Sequence, residues 1–264
     1  MMSAEALPSN ESVQHVVLLG ASNLTLGWRP LLEEIQATVS GAIDMRVALG
    51  MGRSYLEWSG FWARRLPGIL QSQLWESLPD PVHRPPLVLL TDIGNDIVYD
   101  RSPEDIFEAV QRCVQRIRAW NPDSKLVITG LPLESVSSIG PLHFRIARTI
   151  LFPGCRLSLA TVTTHADRLN QLCHQFAHSE AIPIVVPQRT WYGVDPIHVL
   201  PEYRHEAFRS FFASWFPNDA SLRLPSSTVT MCPLPTARHR TLLGVHRHVV
   251  QPIFQSSRLC VSAY

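Results

Sequence analysis

Lysine is almost missing from this 264-residue sequence, in which Lys125 is the only one. A Schiff-base mechanism would therefore have to use Lys125, which begins a predicted strand. A GxxxxGK[ST] phosphate-binding loop is also absent. We accordingly set aside pyridoxal-type and P-loop chemistry. Apolar runs such as 87–90 are of strand length and far below the roughly 20 residues of a membrane span, so we expect no integral membrane segment.

Charge of one sign is lacking as well, because the formal net charge is only +1. No overall field therefore draws the chain to nucleic acid or anionic lipid, and we expect no nucleic-acid partner. The first residues, MMSAEALPSNESVQ, lack the basic start and apolar core of a secretory signal, which favours a cytoplasmic location. The cysteines are few, scattered and odd in number, which argues against a disulfide framework and a CxxC metal site. They are Cys113, Cys155, Cys173, Cys232 and Cys260.

Apolar residues make up 45% of the chain and charged residues 17%, a balance typical of a globular protein. Short apolar runs alternate with segments of helical periodicity, which predicts a parallel sheet covered by helices on both faces. The predicted strands are His15–Gly20, Ile43–Leu49, Leu87–Thr91, Leu126–Thr129 and Ile182–Val186. The predicted helices are Trp28–Ser40, Ser102–Trp120, Thr163–His178 and Pro201–Phe216, with part of Tyr55–Leu78.

Composition divides the chain into three parts. Residues 1–14 form a predicted flexible lead-in, and residues 15–216 form the α/β domain. From residue 217 onward prolines and serines increase, and five arginines accompany a single acid, Asp219. Alternation within Val249–Tyr264 permits an edge hairpin. We nevertheless expect residues 217–264 to be a loosely attached tail or an irregular appendage.

Ser22 is the first candidate for chemistry. It follows the first predicted strand in the sequence Gly-Ala-Ser-Asn, at the sheet edge where ligands bind in open α/β folds. The start of a helix there would offer N–H groups to a developing oxyanion. The alternative is that Ser22 serves only as a helix N-cap.

Asp195 and His198 form the second candidate. Their spacing of three lets the carboxylate hold imidazole Nδ1 and leaves Nε2 to accept a proton. They follow the fifth predicted strand and so share the carboxyl edge with Ser22. The other pair with this spacing, Asp80 and His83, precedes the third strand and belongs to the opposite edge.

Two further loops follow strands at this edge. Asn95 lies after the third predicted strand, and its amide would suit an oxyanion, although a Gly-Asn turn is the alternative. Gly50 and Gly52 follow the second strand, where a glycine lets the backbone N–H approach a ligand. Polar or glycine-rich loops thus follow strands one, two, three and five.

As a set these four blocks resemble the SGNH hydrolase superfamily, also called GDSL esterases and lipases, over about residues 15–216. Ser22 matches the first block, Gly50 or preferably Gly52 the second, Asn95 the third, and Asp195 with His198 the last. Departures occur in three blocks. The first reads Gly-Ala-Ser-Asn instead of Gly-Asp-Ser-Leu, Ile93 replaces the usual glycine of the third, and Val199 replaces the proline after the histidine of the last.

The resemblance implies a flavodoxin-like three-layer α/β/α sandwich with about five parallel strands. It also implies hydrolysis of an ester or thioester by a Ser22–His198–Asp195 triad, without metal or cofactor. The same triad would serve an acyltransferase, and the departures leave a non-catalytic scaffold or binding protein as a further alternative.

A small-molecule ester with an apolar acyl group follows if nearby apolar residues line the cleft; the alternative is that they are ordinary core. These residues are Trp58, Phe61, Trp62, Phe144, Ile150, Leu151 and Phe152. His174 and His178 have metal-ligand spacing but lack a third ligand nearby, so we expect no metal site. Cys155 is a weaker candidate nucleophile, because the sequence shows no positioned base for it.

Overall fold

The computed structural model describes residues 13–80, 82–138, 140, 155–217 and 229–264. Within them lie two sheets and six α-helices. The strands are β1 Gln14–Leu19, β2 Ile43–Ala48, β3 Ser59–Phe61, β4 Arg64–Leu66, β5 Leu87–Leu90, β6 Lys125–Thr129, β7 Ile184–Val185, β8 His239–Leu242, β9 Val245–His248, β10 Phe254–Gln255 and β11 Leu259–Ala263. The helices are α1 Ser22–Leu26, α2 Trp28–Thr38, α3 Pro103–Trp120, α4 Leu133–Ser137, α5 Leu159–Ser179 and α6 Arg204–Ala213.

The larger sheet has the order β10-β11-β2-β1-β5-β6-β7 in the described residues. All of its neighbouring pairs are parallel except β10 with β11. The chain moves outward from β1 to β2 and then returns past β1 to β5, so the strand order reverses between β1 and β5. Ligands bind outside the carboxyl ends of the strands at such a reversal.

Helices cover both faces of this sheet, which confirms the predicted α/β sandwich. Helices α2 and α6 pack on one face, and α3 and α5 pack on the other. The start of α3 follows its sequence signals: the Ser102 hydroxyl accepts the N–H of Asp105 at 3.1 Å, and Pro103 occupies the first turn. Among the described residues, no helix is both long and apolar enough to cross a membrane.

The end of the chain differs from the expected loose tail. All five residues of β11 are buried, and the strand pairs in parallel with β2 inside the larger sheet. Leu259 and Val261 enter the core on one face, and Tyr264 enters the core on the other. The predicted edge hairpin does form, from β10 and β11. Sequence alternation alone did not reveal that β11 has neighbours on both sides.

The region 55–78, expected to be partly helical, instead forms the β3–β4 hairpin and two single 3₁₀ turns. This hairpin joins β8 and β9 in a separate antiparallel sheet with the order β3-β4-β8-β9. Phe61 pairs with Arg64, and the chain reverses direction between them at Trp62, whose φ is 57°. The second sheet therefore grows directly from the loop that follows β2.

Candidate active site

Ser22 begins α1 immediately beyond β1, at the strand-order reversal. It is 4% exposed. The neighbouring loop, after β5, turns sharply at Asp92, whose φ of 58° is left-handed. These two loops are the ones that the sequence placed at the carboxyl edge, and the structure brings them into contact.

Asp92 holds the Ser22 loop in place. Its Oδ2 accepts the backbone N–H groups of Ala21 at 2.8 Å and Asn23 at 3.1 Å, and its Oδ1 accepts the Asn23 side-chain amide at 2.7 Å. The N–H groups on both sides of Ser22 are therefore occupied. No hydrogen bond within the described part of the chain uses the N–H of Ser22 itself, so it is available to an oxyanion.

Asn23 extends the same network to the loop that carries His198. Its side-chain NH₂ donates to the backbone carbonyl of Ile197 at 2.9 Å, and its side-chain Oδ1 accepts the N–H of Val199 at 2.9 Å. These bonds bracket His198 in the chain. Asn23, near the start of the predicted α/β domain, is thereby held in contact with the segment around His198, near its end.

His198 and Asp195 form the pair that their spacing predicted. His198 Nδ1 lies 2.6 Å from Asp195 Oδ2, while Asp195 Oδ1 accepts the N–H groups of Ile197 and His198. Burial alone would raise the pKa of Asp195, but the hydrogen bond and charge of His198 and the backbone N–H bonds lower it overall. A carboxylate that stays ionised next to Nδ1 leaves Nε2 free to accept a proton.

In the described part of the chain, no hydrogen bond joins Ser22 Oγ to His198. Nucleophile–base contacts are often long without substrate and shorten in the substrate complex. The network of Asn23 and Asp92 nevertheless keeps the two loops adjacent.

Gly52 and Asn95 lie on adjoining loops. The Asn95 side-chain amide donates to the carbonyl of Arg53 at 3.5 Å. Gly52 has a left-handed φ of 65°, and a Cβ there would lie 2.9 Å from the Tyr99 hydroxyl, so this position favours glycine. Its N–H donates no hydrogen bond within the described residues. Gly50 differs, because a Cβ there would collide with Leu66, which indicates a packing role.

A buried polar cluster connects these loops to each other. The fully buried Asp96 accepts the Ser54 hydroxyl and the N–H of Tyr55. Burial raises the pKa of Asp96 to about 6, although these hydrogen bonds lower it. The Tyr55 hydroxyl oxygen lies 3.1 Å from the carbonyl oxygen of Leu19 and 2.8 Å from that of Thr91, within hydrogen-bond distance of both. It therefore links the ends of β1 and β5.

A cavity of about 110 Å³ opens beside this network. Asn23, Asp92 and Asn95 form its polar side, and most of the remaining lining is apolar. The apolar part includes Ile97, Leu131, Val136, Val162, Ile197 and Phe208. Of the candidate catalytic and oxyanion residues, Asn95 lines this cavity, whereas Ser22, Gly52 and His198 do not.

The predicted aromatic lining is not the one observed. Phe61 lies in β3 of the second sheet, Trp58 and Trp62 flank that strand, and none of the three lines this cavity. Phe144, Ile150, Leu151 and Phe152 lie outside the described residues. Within the described part of the chain, no cluster of three or more His, Cys, Asp or Glu side chains is arranged to hold a metal ion.

Two residues of the candidate site, Asn23 and Asp92, were missed from the sequence. Both lie within motifs that the sequence singled out, but neither was given a role. The signal that could have found them is their position, since each is a polar residue directly after a buried strand at the same sheet edge. They also give Asn23 of the unusual first block a structural role, because its side-chain amide binds Asp92; the Ala21 contact uses only the backbone N–H.

No protein-family model and no curated protein matches this sequence. Solved structures do share its fold. Est24, a carbohydrate acetylesterase from Sinorhizobium meliloti, superposes with a TM-score of 0.50 at 16% identity, over 75% of this chain and 97% of that chain.

Two other solved structures resemble the chain to a similar degree. A carbohydrate acetylesterase family member from the same organism gives a TM-score of 0.49 at 14% identity, over 79% of this chain and 98% of that chain. An inhibitor-bound aryl esterase from M. smegmatis gives 0.49 at 15% identity, over 75% and 96%. At such low identity the likeness establishes the fold alone.

Proposed function

We propose that this chain, which has the α/β fold of SGNH hydrolases, is a serine hydrolase of carboxylic esters. The observation that carries the proposal is the Asn23–Asp92 network, which binds the Ser22 loop to the loop of the His198–Asp195 pair. A solved structure with this fold is described as an acetylesterase, which supports ester hydrolysis in general.

The proposed reaction has two steps. Ser22 Oγ attacks the ester carbonyl carbon while His198 Nε2 takes the Oγ proton, and the alcohol then leaves with that proton. Water attacks the resulting acyl-enzyme with His198 again as the base, and the carboxylic acid departs as Ser22 regains its proton. Asp195 holds Nδ1 and stabilises the imidazolium formed in each step.

The developing oxyanion would be bound by three donors. They are the N–H groups of Ser22 and Gly52, which no described group occupies, and the Asn95 amide. Removal of one such donor costs roughly 10²–10³ in rate in other serine hydrolases. The apolar cavity that Asn95 lines favours an ester whose acyl group is apolar.

Hydrolysis of p-nitrophenyl acetate and butyrate tests the proposal. We expect turnover by the wild type, a loss of roughly 10³-fold or more in Ser22→Ala, and no change in Ser40→Ala, an exposed serine after α2. Equal rates for Ser22→Ala and the wild type would contradict it. Adding an alcohol acceptor and analysing the products distinguishes water from an alcohol as the second acceptor.

A further inference from the structure

Two hairpin turns at one end of the four-stranded sheet expose large apolar side chains. Trp62, between β3 and β4, is 89% exposed, and Leu243, between β8 and β9, is 79% exposed. The Leu243 N–H donates to the carbonyl of Ala63 at 2.9 Å, so the turns are adjacent. Both residues have left-handed φ values, 57° and 50°, which bulky side chains seldom adopt. Neither side chain contributes to a core.

Behind these tips, the pairing register arranges the side chains in rows. The first row is mainly apolar, and each of the next two rows carries arginine. Adjacent rows are about 3.3 Å apart along a strand, so the arginines of the later rows lie roughly 5–10 Å behind the tips. The first row holds Phe61, Arg64, Leu242 and Val245, the second holds Arg65 and His246, and the third holds Arg240 and Arg247.

The arginines of this sheet have no acidic partners within it. Segments 59–66 and 239–248 contain four arginines and three histidines but neither aspartate nor glutamate. None of these arginines forms an ion pair within the described part of the chain. Arg240 lies directly opposite Arg247 in the ladder. Like charges at opposing positions destabilise a sheet, so folding alone does not account for this pattern.

Neighbouring groups show the same concentration of positive charge. Burial and the nearby charge of Arg240 lower the pKa of Arg64. Burial, followed by His248, Arg238 and His246, lowers the pKa of His239. A concentrated cationic surface of this kind is complementary to an anionic partner.

We propose that this end of the four-stranded sheet docks on an anionic lipid bilayer. Trp62 and Leu243 enter the boundary between headgroups and acyl chains, and the arginines meet the lipid phosphates. The spacing suits a bilayer, because interfacial segments bury their apolar side roughly 5–10 Å deep. Nucleic acid would also neutralise the arginines, but it offers no apolar layer for Leu243, Leu242 and Val245. Exposed aliphatic tips with cations behind them therefore favour lipid.

Docking in this way would bring the candidate active site to the membrane. The β3–β4 hairpin follows the Gly52 loop directly, and the Arg64 guanidinium donates to the carbonyl of Met51 at 3.3 Å. A Cβ on Gly52 would lie 3.5 Å from the carbonyl of Gly60 in β3. The substrate class is then an ester presented at a lipid surface, a conclusion that rests on the proposed function. The docking itself does not.

Vesicle sedimentation with full-length Ser22→Ala measures docking without turnover. We expect binding to equimolar phosphatidylcholine–phosphatidylglycerol vesicles, none to pure phosphatidylcholine, and weaker binding as salt is raised. If Ser22→Ala binds vesicles while the wild type hydrolyses no ester, the docking proposal stands and the proposed function fails. Equal binding to both vesicle types, or binding to neither, would overturn the docking proposal.

Two double variants locate the surface. Trp62→Asn with Leu243→Asn keeps residues that accept left-handed φ, and Arg65→Glu with Arg247→Glu reverses two exposed charges. Each should weaken vesicle binding about tenfold or more without lowering the thermal unfolding midpoint. Arg29→Glu with Arg112→Glu is the control, since it makes the same charge change on α2 and α3. An equal loss in the control, or binding of duplex DNA in place of vesicles, would overturn the proposal.

Discussion

The two sheets of this molecule differ in what explains their sequences. In the larger sheet, every residue of β1 and β11 is buried, and parallel pairing between helical layers accounts for their apolar composition. In the smaller sheet, every residue of β9 is exposed, and cations face each other across the ladder. The requirements of folding explain the first pattern but not the second, which we attribute to function.

Charge is also handled in opposite ways. In the loop that follows β5 of the larger sheet, Asp96 is fully buried, with hydrogen bonds from Ser54 and Tyr55 and no ion pair among the described residues. The smaller sheet carries four arginines and no acid in its strands; Arg65 and Arg247 are exposed, and Arg64 and Arg240 are half-buried. Ionisable side chains without an ion pair thus lie at two places: Asp96 at the carboxyl edge of the larger sheet, and the arginines at the outer end of the smaller one. Both places carry our proposals.

The largest expected contrast comes from truncating a leucine in each sheet. Leu259→Ala in β11 should lower the free energy of unfolding by about 2–5 kcal/mol, because it opens a cavity in a core that is closed to solvent. Leu243→Ala at the exposed turn should change it by no more than about 0.5 kcal/mol. Urea denaturation of both variants measures this. Similar losses in the two would remove the distinction between the sheets.

Asn23→Ala should come next. It removes the side-chain bonds that join the Ser22 loop to Asp92, Ile197 and Val199. We expect kcat for a p-nitrophenyl ester to fall roughly 10- to 100-fold, which corresponds to losing one or two net hydrogen bonds, with a smaller change in KM. Asn121→Ala, which removes the hydrogen bond from the Asp123 N–H to Asn121 Oδ1 just after α3, is the matched control. An unchanged kcat in Asn23→Ala would show that the network does not position the triad.

The buried acid predicts a pH dependence of stability. Because the folded pKa of Asp96 is about 6 and the ordinary value is 3.8, the folded state binds a proton more readily in this window. Its contribution to stability therefore falls as pH rises through the window. Denaturation at pH 5 and pH 7 should show the wild type gaining about 1 kcal/mol at pH 5 relative to Asp96→Asn. A parallel pH response of both proteins would contradict this.

The smallest effect is expected in the opposite direction. Arg247→Glu replaces a like-charge pair with Arg240 by an opposite-charge pair. It should raise the free energy of unfolding by a few tenths of a kcal/mol while weakening binding to anionic vesicles. Chemical denaturation and sedimentation of the same preparation would reveal both changes. A loss of stability would mean that Arg247 serves the fold.

Much of the fold was accessible from the sequence. The strands after which Ser22, Asn95 and Asp195 occur each form, because continuous apolar runs bounded by turn residues are a local signal. The three-layer sandwich was predicted on the same basis and is confirmed. The His198–Asp195 contact was equally local, since a spacing of three fixes it within one turn.

What the sequence did not reveal depends on contacts between distant segments. Strand β11 looked like an edge because nothing local shows that β2 pairs with it. Asn23 and Asp92 meet only after β1 and β5 become neighbours, so their hydrogen bonds have no signature in either segment alone. Trp58, Phe61 and Trp62 looked like cleft residues because they follow Gly52, and only the fold places them on a second sheet.

The account depends most on Ser22 being an activated nucleophile, and covalent labelling tests this directly. A fluorophosphonate probe reacts with a serine that a positioned base activates. Mass spectrometry of the digested wild type should find one adduct on Ser22, and the adduct should be absent in His198→Ala at the same exposure. An adduct on another residue, or equal labelling in both proteins, would contradict the triad.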